Sequence, residues 1–390
     1  MSSNTNLHRD HVTRPSDLVS APQKKILFVT RPLSPPWDEA SKNFAYDLAC
    51  NTTNQDITIL VDKYIDNIPS HITQQKIYTD NHFSLLQKIY SFIFQIISRK
   101  KFDIIHYMFT PARLNSLAIN LCIKNSNTKS IQTVATLRKD IYSDTEIKKF
   151  MFGDTIVTYS KWAKTKLENL GFNNVAQIYP GFNFRKFVPA SKDAKLMKKW
   201  NITDKNFVVT YPGEFVRLGA TDLIVDTFIQ LWQNPDNSHI KYLCACRIKN
   251  KADAKKKQEV IKKITDAGHI DKVAFTDTFP DVNAVYNMSD TVIFPVTNMA
   301  GKFDVPLAMI EPYACKKPVI ASDLELFKEF SNEKINVIVK QNNSEELASA
   351  ILDLAKNEQK RKALGENAYD FAHQTFNIKN TASQYQNIYN

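Results

Sequence analysis

Lys25-Ile26-Leu27-Phe28-Val29-Thr30, followed by Arg31-Pro32-Leu33-Ser34-Pro35-Pro36, sets the pattern for the whole chain. A short apolar run that stops at a proline-rich turn predicts a buried strand and its loop. From Glu39 to Cys50 the apolar residues Phe44, Ala45, Leu48 and Ala49 recur at helical spacing, so a helix follows. The cadence continues with strands at 57–60, 102–108, 130–137, 154–160 and 175–180, and helices near 83–98, 113–124 and 161–170. It breaks at Gly181-Phe182-Asn183-Phe184, with Pro189 and a lysine-rich stretch beyond. A second set then opens, with strands at 207–213, 241–248, 272–278, 290–296 and 317–323, helices between them, and a helical tail from about 345 to 390. Alternation of this kind predicts an α/β protein whose parallel sheets are covered by helices on both faces. The boundaries expected are a disordered leader at 1–24, α/β domains at 25–185 and 186–372, and a terminal helical segment at 373–390.

The composition narrows the classes of function. The chain has 390 residues, enough for two or three domains at roughly 100–200 residues each. No apolar run approaches the ~18 residues of a membrane span, and the first residues contain no apolar core of a secretory signal. Five scattered cysteines without paired spacing predict free thiols in a reducing cytosol rather than a disulfide framework or a zinc site. The eight glycines form neither a GxGxxG nor a GxxxxGK[ST] frame, which excludes the usual dinucleotide-binding and P-loop proteins. HExxH is absent, and no His/Cys cluster has metal-ligand spacing, so no metal is expected. A net charge of +11 points to anionic partners.

In open α/β sheets ligands bind beyond the carboxyl ends of the strands. In the second half those positions carry Gly213-Glu214-Phe215-Val216-Arg217-Leu218-Gly219, Arg247-Ile248-Lys249, Asp277-Thr278-Phe279, and Gly301-Lys302-Phe303-Asp304-Val305-Pro306-Leu307 leading to Glu311. Cations there suit a diphosphate through charge-assisted hydrogen bonds, with Arg offering a bidentate fork. A helix carboxylate suits a ribose diol, because each oxygen accepts from one hydroxyl. Together these chemistries describe a site for a sugar nucleotide.

The stretch ending in Glu311-Pro312-Tyr313-Ala314-Cys315-Lys316-Lys317-Pro318-Val319-Ile320 resembles the signature helix of retaining glycosyltransferases of family 4. The resemblance extends through Gly365-Glu366-Asn367-Ala368, the terminal Phe376, Tyr385 and Tyr389, the segment 178–187, Gly213 to Gly219, and Asp154 to Ser160. It implies the GT-B fold: two Rossmann-like domains facing each other across a cleft, the first for the acceptor and the second for the donor. The C-terminal helix would pack back on the first domain. Glu311 matches the second glutamate of the family's E-x7-E motif, which implies a bond to the nucleotide ribose. The first glutamate falls on Phe303, and its neighbour Asp304 is the substitute carboxylate for the donor sugar. The family's Gly-Arg pair is Gly213-Glu214 here and its lysine is Leu218, leaving Arg217 as the replacement phosphate ligand. Arg247, Lys249, Thr278, Lys302 and Leu307 complete the donor set. In the first domain Ala40 and Ser41 stand at the loop near the donor phosphate, and His106 ends a strand where the family tends to carry a histidine; Asp304 and His106 are the catalytic residues this resemblance implies. The histidine usual after the fifth strand is replaced by Ala135 or Thr136, with Arg138 and Lys139 beyond. The implied reaction is metal-independent transfer of a hexose from a nucleotide-sugar, with no cofactor and with retention by front-face attack. The transfer would be to a glycan or a lipid-linked acceptor.

Several residues keep a second reading. His106 is as often a satisfied core group as a substrate contact, and Arg217, Arg247 and Lys249 can be solvated charges. The apolar segment 83–97 with Arg99-Lys100-Lys101 reads either as a helix packed on the first sheet or as an interfacial anchor touching an acidic membrane from the cytoplasmic side. A basic nucleic-acid binder fits the charge, but the aromatic residues fall mostly within apolar runs, so no nucleic acid is expected. A non-catalytic sugar-nucleotide-binding scaffold of the same fold fits the departures at Phe303 and Glu214.

Overall fold

The computed structural model describes residues 23–35, 37, 39–80, 84–109, 112–122, 127–277 and 281–390. The first half runs β1 (Lys25–Val29), α1 (Ala40–Asn51), β2 (Asp56–Val61), β3 (Ile72–Lys76), α2 (Leu85–Ser98), β4 (Ile104–Met108), α3 (Arg113–Cys122), β5 (Lys129–Val134), α4 (Asp144–Phe150), β6 (Thr155–Thr158), α5 (Lys161–Asn169) and β7 (Val175–Gln177). After α6 (Ala194–Lys199) come β8 (Phe207–Tyr211), α7 (Thr221–Trp232), β9 (Ile240–Cys244), α8 (Lys251–Asp266), β10 (Val273–Phe275), α9 (Val282–Met288), β11 (Thr291–Phe294), α10 (Leu307–Ala314), β12 (Val319–Ser322) and β13 (Asn336–Val339). The chain closes with α11 (Ser344–Lys356), α12 (Glu358–Thr375) and α13 (Ile378–Tyr389).

These strands form a seven-stranded sheet, β3-β2-β1-β4-β5-β6-β7, and a six-stranded sheet, β10-β9-β8-β11-β12-β13. Every pairing is parallel, with Ile26 opposite both Ile57 and Ile104 in the first sheet and Val209 opposite Tyr242 and Thr291 in the second. Burial on both faces explains why β1, β4, β8 and β11 read as continuous apolar runs. The strand order reverses between β1 and β4 and again between β8 and β11. A crevice opens at such a reversal, beyond the carboxyl ends of the strands. The loops that matter therefore follow β1, β8 and β11.

The structure corrects several expectations. The strand at 130–137 stops at Val134, and that at 241–248 stops at Cys244, because the residues beyond turn into the crevice. Strands β3 and β13, unforeseen, lie at sheet edges. In β3 only Ile72 is buried while Thr73 to Lys76 are wholly or partly exposed, so the segment lacks an apolar run to announce it. The helix over α2 exists, but it faces the wrong way for a packed amphipathic helix: Gln87, Ser91, Gln95 and Ser98 are buried, and the leucines and isoleucines face outward.

Two chain segments pass between the sheets, and they touch each other. Phe182 N–H donates to Phe376 C=O at 2.8 Å. Gly181 lies so tightly against the start of α13 that an added Cβ would stand 2.4 Å from Ile378 Cα, which accounts for glycine there. Beyond this crossing α13 packs on α1, and Tyr385 and Tyr389 are buried among first-domain residues.

Candidate functional site

The loop after β8 brings Glu214 into the crevice, where its carboxylate is almost fully buried. Three cations converge on it. Lys249 Nζ and Lys302 Nζ both lie 2.5 Å from Oε1, and Arg217 Nε lies 3.1 Å from Oε2. Burial would raise the Glu214 carboxyl, but Lys249 and Lys302 outweigh it and hold the group below the usual glutamate range. Burial likewise lowers Lys302, against the pull of Glu214. The cluster keeps two surplus positive charges on partly exposed side chains, the arrangement that attracts a diphosphate.

Arg247 follows β9 and pairs its backbone with Glu214 in an isolated parallel bridge. Its side chain is exposed, and its charge reaches Glu311, where it opposes the upward shift that burial imposes. Glu311 sits in the second turn of α10 and accepts a hydrogen bond from Tyr286 Oη at 2.8 Å. Desolvation pushes its pKa up to about 7, against the Tyr286 hydroxyl and Arg247. Leu307, in the first turn of the same helix, is half-buried against the second-domain core.

The loop after β11 contributes Gly301 at φ +69°, a conformation that favours glycine. A Cβ there would lie 3.6 Å from Arg217 Nη1 and 3.8 Å from Arg138 Cζ, so guanidinium groups of both domains meet at this glycine. Arg138 is held by a two-pronged contact with Asp140, Nε to Oδ1 and Nη2 to Oδ2, both at 2.8 Å. On the first-domain side Ala40 and Ser41 open α1. Its N-cap residue Glu39 makes no side-chain capping bond and pairs instead with Arg31. The first amides of α1 thus point out of the helix without that partner, a polarity that suits phosphate.

Two expected catalytic residues have other places. His106 is wholly buried within β4: Nδ1 is 2.8 Å from Tyr389 Oη and Nε2 is 2.7 Å from Thr133 Oγ1. Burial lowers its pKa to about 3. With both nitrogens occupied and a low proton affinity, it ties α13 to the first sheet rather than meeting substrate. Asp304 is also buried, and it joins the domains. Its N–H donates to Ala135 C=O and its Oδ2 accepts from Leu137 N–H, each at 3.0 Å. Phe303 adds an edge-to-face contact with Tyr159 of the first domain, ring centroids 5.4 Å apart. A second interdomain tie comes from Glu329, which accepts from Lys161 N–H at 2.8 Å, at the start of α5, and from Tyr179 Oη at 2.7 Å. Thr278 lies outside the described residues.

The Asp304 contact gives a pH-dependent prediction. Burial, only partly offset by the Leu137 N–H, pushes its pKa up to about 8 from the ordinary 3.8. Between those values the folded chain holds a proton that the unfolded chain has lost, so this group makes stability fall as pH rises. Asp304→Asn keeps an acceptor for Leu137 and removes the titration. Chemical denaturation at several pH values should show the variant gaining on the parent between about pH 4 and 8, then levelling. A constant difference across that range contradicts the assignment.

Sequence reasoning reached Arg217, Lys249, Lys302, Arg247 and Glu311, and the structure gathers them at one end of the second sheet. Glu214 stood among the same strand-end residues without a role, and Arg138 and Tyr286 were not placed in the donor site. Arg138, just past the end of β5, was open to the same strand-end rule; Tyr286 lies inside a short helix and gave no signal.

Residues 192–371 are similar to the family model Glycosyl transferases group 1. An uncharacterized glycosyltransferase of Methanocaldococcus jannaschii is 24% identical over 255 residues, covering 64% of this chain and 62% of that protein, less than two thirds of its length. Anabaena HepE, solved with UDP and glucose, superposes with a TM-score of 0.74 at 16% identity over 94% of this chain and 99% of that one. Sucrose-phosphate synthase of Thermosynechococcus elongatus gives a TM-score of 0.72 at 15% identity, over 94% and 98% of the two chains. At these identities the structures establish the GT-B fold.

Proposed function

We propose that the chain is a retaining, metal-independent glycosyltransferase that moves a hexose from a nucleotide-sugar to a glycan or lipid-linked acceptor. The observation that carries the reading is the convergence of Lys249, Lys302 and Arg217 in the crevice that also holds Glu311. Glu311 holds the ribose hydroxyls. The three cations, with the opening amides of α1, hold the diphosphate and stabilise it as it leaves, a role for fixed charges in a partly desolvated site. The acceptor enters from the first domain, past Arg138, and its hydroxyl attacks the anomeric carbon on the face the nucleotide leaves. The donor is a substrate, so no cofactor is required. HepE was solved with UDP-glucose, which makes a uridine nucleotide the first donor to try. We place the enzyme in the cytoplasm, where sugar nucleotides are available.

A non-catalytic sugar-nucleotide sensor is favoured by one feature, the internal carboxylate of Glu214 among the phosphate-binding cations. Turnover separates the two. UDP-, GDP- and ADP-hexoses incubated with a panel of acceptors should release one nucleoside diphosphate at a rate unchanged by EDTA. NMR of the product should show the anomeric configuration of the donor. An inverted product overturns retention, loss of rate in EDTA overturns metal independence, and binding without release selects the sensor.

A further inference from the structure

Helix α2 is built inside out. The side it turns to the sheet carries Gln87, Ser91, Gln95 and Ser98, flanked by half-buried Phe92 and Phe94, and the amides and hydroxyls bond mostly within the helix or to the turn before it, leaving Gln95 Oε1 without a partner. Gln87 Nε2 reaches Thr79 Oγ1 at 2.5 Å, Gln95 Nε2 reaches Ser91 C=O at 3.0 Å, and Ser98 Oγ reaches Phe94 C=O at 2.6 Å. The side it turns to solvent is apolar: Leu85 is 72% exposed, Leu86 62%, Ile93 47% and Ile97 75%. Helix α3 extends the surface, with Leu114 at 80% and Leu121 at 69% exposure. The helices adjoin at their C-terminal ends, where the Arg99 guanidinium donates to Cys122 C=O. A scattered exposed leucine needs no explanation, but rows of exposed leucines and isoleucines on two helices that meet at their ends mark an interface.

The charge around it selects the partner. Arg113 is paired with Glu146, and Asp80 stands by Gln87 at the start of α2, but at the other end of α2 Arg99, Lys100 and Lys101 face one acid of the same stretch, Asp103, whose Oδ2 is engaged by Lys25 N–H at 2.8 Å. Arg99 and Lys100 also line a cavity of about 790 Å³ with Lys24 and Lys129. A second copy seated on the same face would bring two basic collars together. The first 22 residues, with two leucines and two valines, offer too little apolar surface to cover it. No helix among the described residues is long and apolar enough to cross a membrane.

We infer that the outer face of α2 and α3 docks on an anionic phospholipid bilayer, its leucines and isoleucines entering the interfacial layer and the Arg99–Lys101 collar meeting the headgroup phosphates. Helix α2 runs from the carboxyl edge of the first sheet, where the cleft opens, to the collar at its amino edge, so a bilayer along this face reaches the side of the cleft and a lipid-linked acceptor there. That last step rests on the transferase reading; the docking does not.

Co-sedimentation of the full chain with vesicles tests the docking without nucleotide or turnover. Vesicles of phosphatidylcholine mixed with phosphatidylglycerol should bind it roughly tenfold or more better than phosphatidylcholine alone. Leu85→Ser with Ile97→Ser in one chain leaves the charge unchanged and should lower binding roughly tenfold, with a nearly unaltered melting midpoint because both side chains are more than 70% exposed. Lys100→Glu with Lys101→Glu should erase the preference for anionic vesicles. A parent protein that stays in the supernatant with both vesicle types overturns the proposal. So does serine-variant binding equal to the parent's, which reduces the effect to net charge. A concentration-dependent dimer that the serine variant splits overturns it by assigning the face to a second copy.

Discussion

Glu311→Ala is expected to lower UDP affinity roughly hundredfold or more, to the point where saturation is no longer reached. A carboxylate that accepts from two ribose hydroxyls makes two hydrogen bonds to a charged group, each contributing about 1.5–3 kcal/mol. The same side chain gives the interaction a pH dependence. With its pKa pushed up to about 7 by burial, the free protein holds Glu311 partly protonated at neutral pH. The ionised form accepts from both hydroxyls, so nucleotide affinity should rise between pH 6 and 8. Glu311→Gln should bind weakly and without that slope. Calorimetric titration with UDP across the pH range reads both effects. Unchanged affinity in the alanine variant removes Glu311 from the site.

Glu214→Gln is expected to act in opposite directions on stability and on binding. The substitution leaves Lys249, Lys302 and Arg217 facing one another around a neutral amide. Removing one partner of a buried ion pair costs about 3–5 kcal/mol. Here the three cations are 29% to 44% exposed, which brings the expected loss to roughly 1–3 kcal/mol. The freed cations should then bind a diphosphate several-fold more tightly, with a steeper salt dependence. The thermal midpoint of the variant should fall without ligand and recover more than the parent's when UDP is added. A loss of affinity together with stability would mean that Glu214 shapes the phosphate site instead of competing for it.

The parts legible in the sequence are those where one-dimensional pattern and three-dimensional environment coincide. The β1 run, Ile26 to Val29, is apolar because a central parallel strand is buried on both faces, and β4, β8 and β11 are buried throughout for the same reason. Arg217, Lys249 and Lys302 were visible because they follow strands, where a crevice must open. Their convergence on Glu214 was not, since it depends on three loops from distant parts of the chain. His106 misled for a related reason. Its partner Tyr389 lies 283 residues away, and nothing near β4 announces that α13 returns to bury it. Asp304 stands one residue from the family's glutamate position, yet the backbone there pairs with Ala135, which turns its carboxylate to the first domain. The periodicity of α2 is equally clear whichever side faces in, so spacing alone did not reveal that its polar side is the buried one.

The most direct test is a crystal structure of the protein with UDP bound. The ribose hydroxyls should lie within about 2.6–3.0 Å of the Glu311 carboxylate. The diphosphate should rest against Lys302 and Arg217, with Lys249 drawn from Glu214 toward it. A nucleotide bound away from the carboxyl edge of the second sheet, or a ribose that makes no contact with Glu311, would contradict the assignment of this crevice as the donor site.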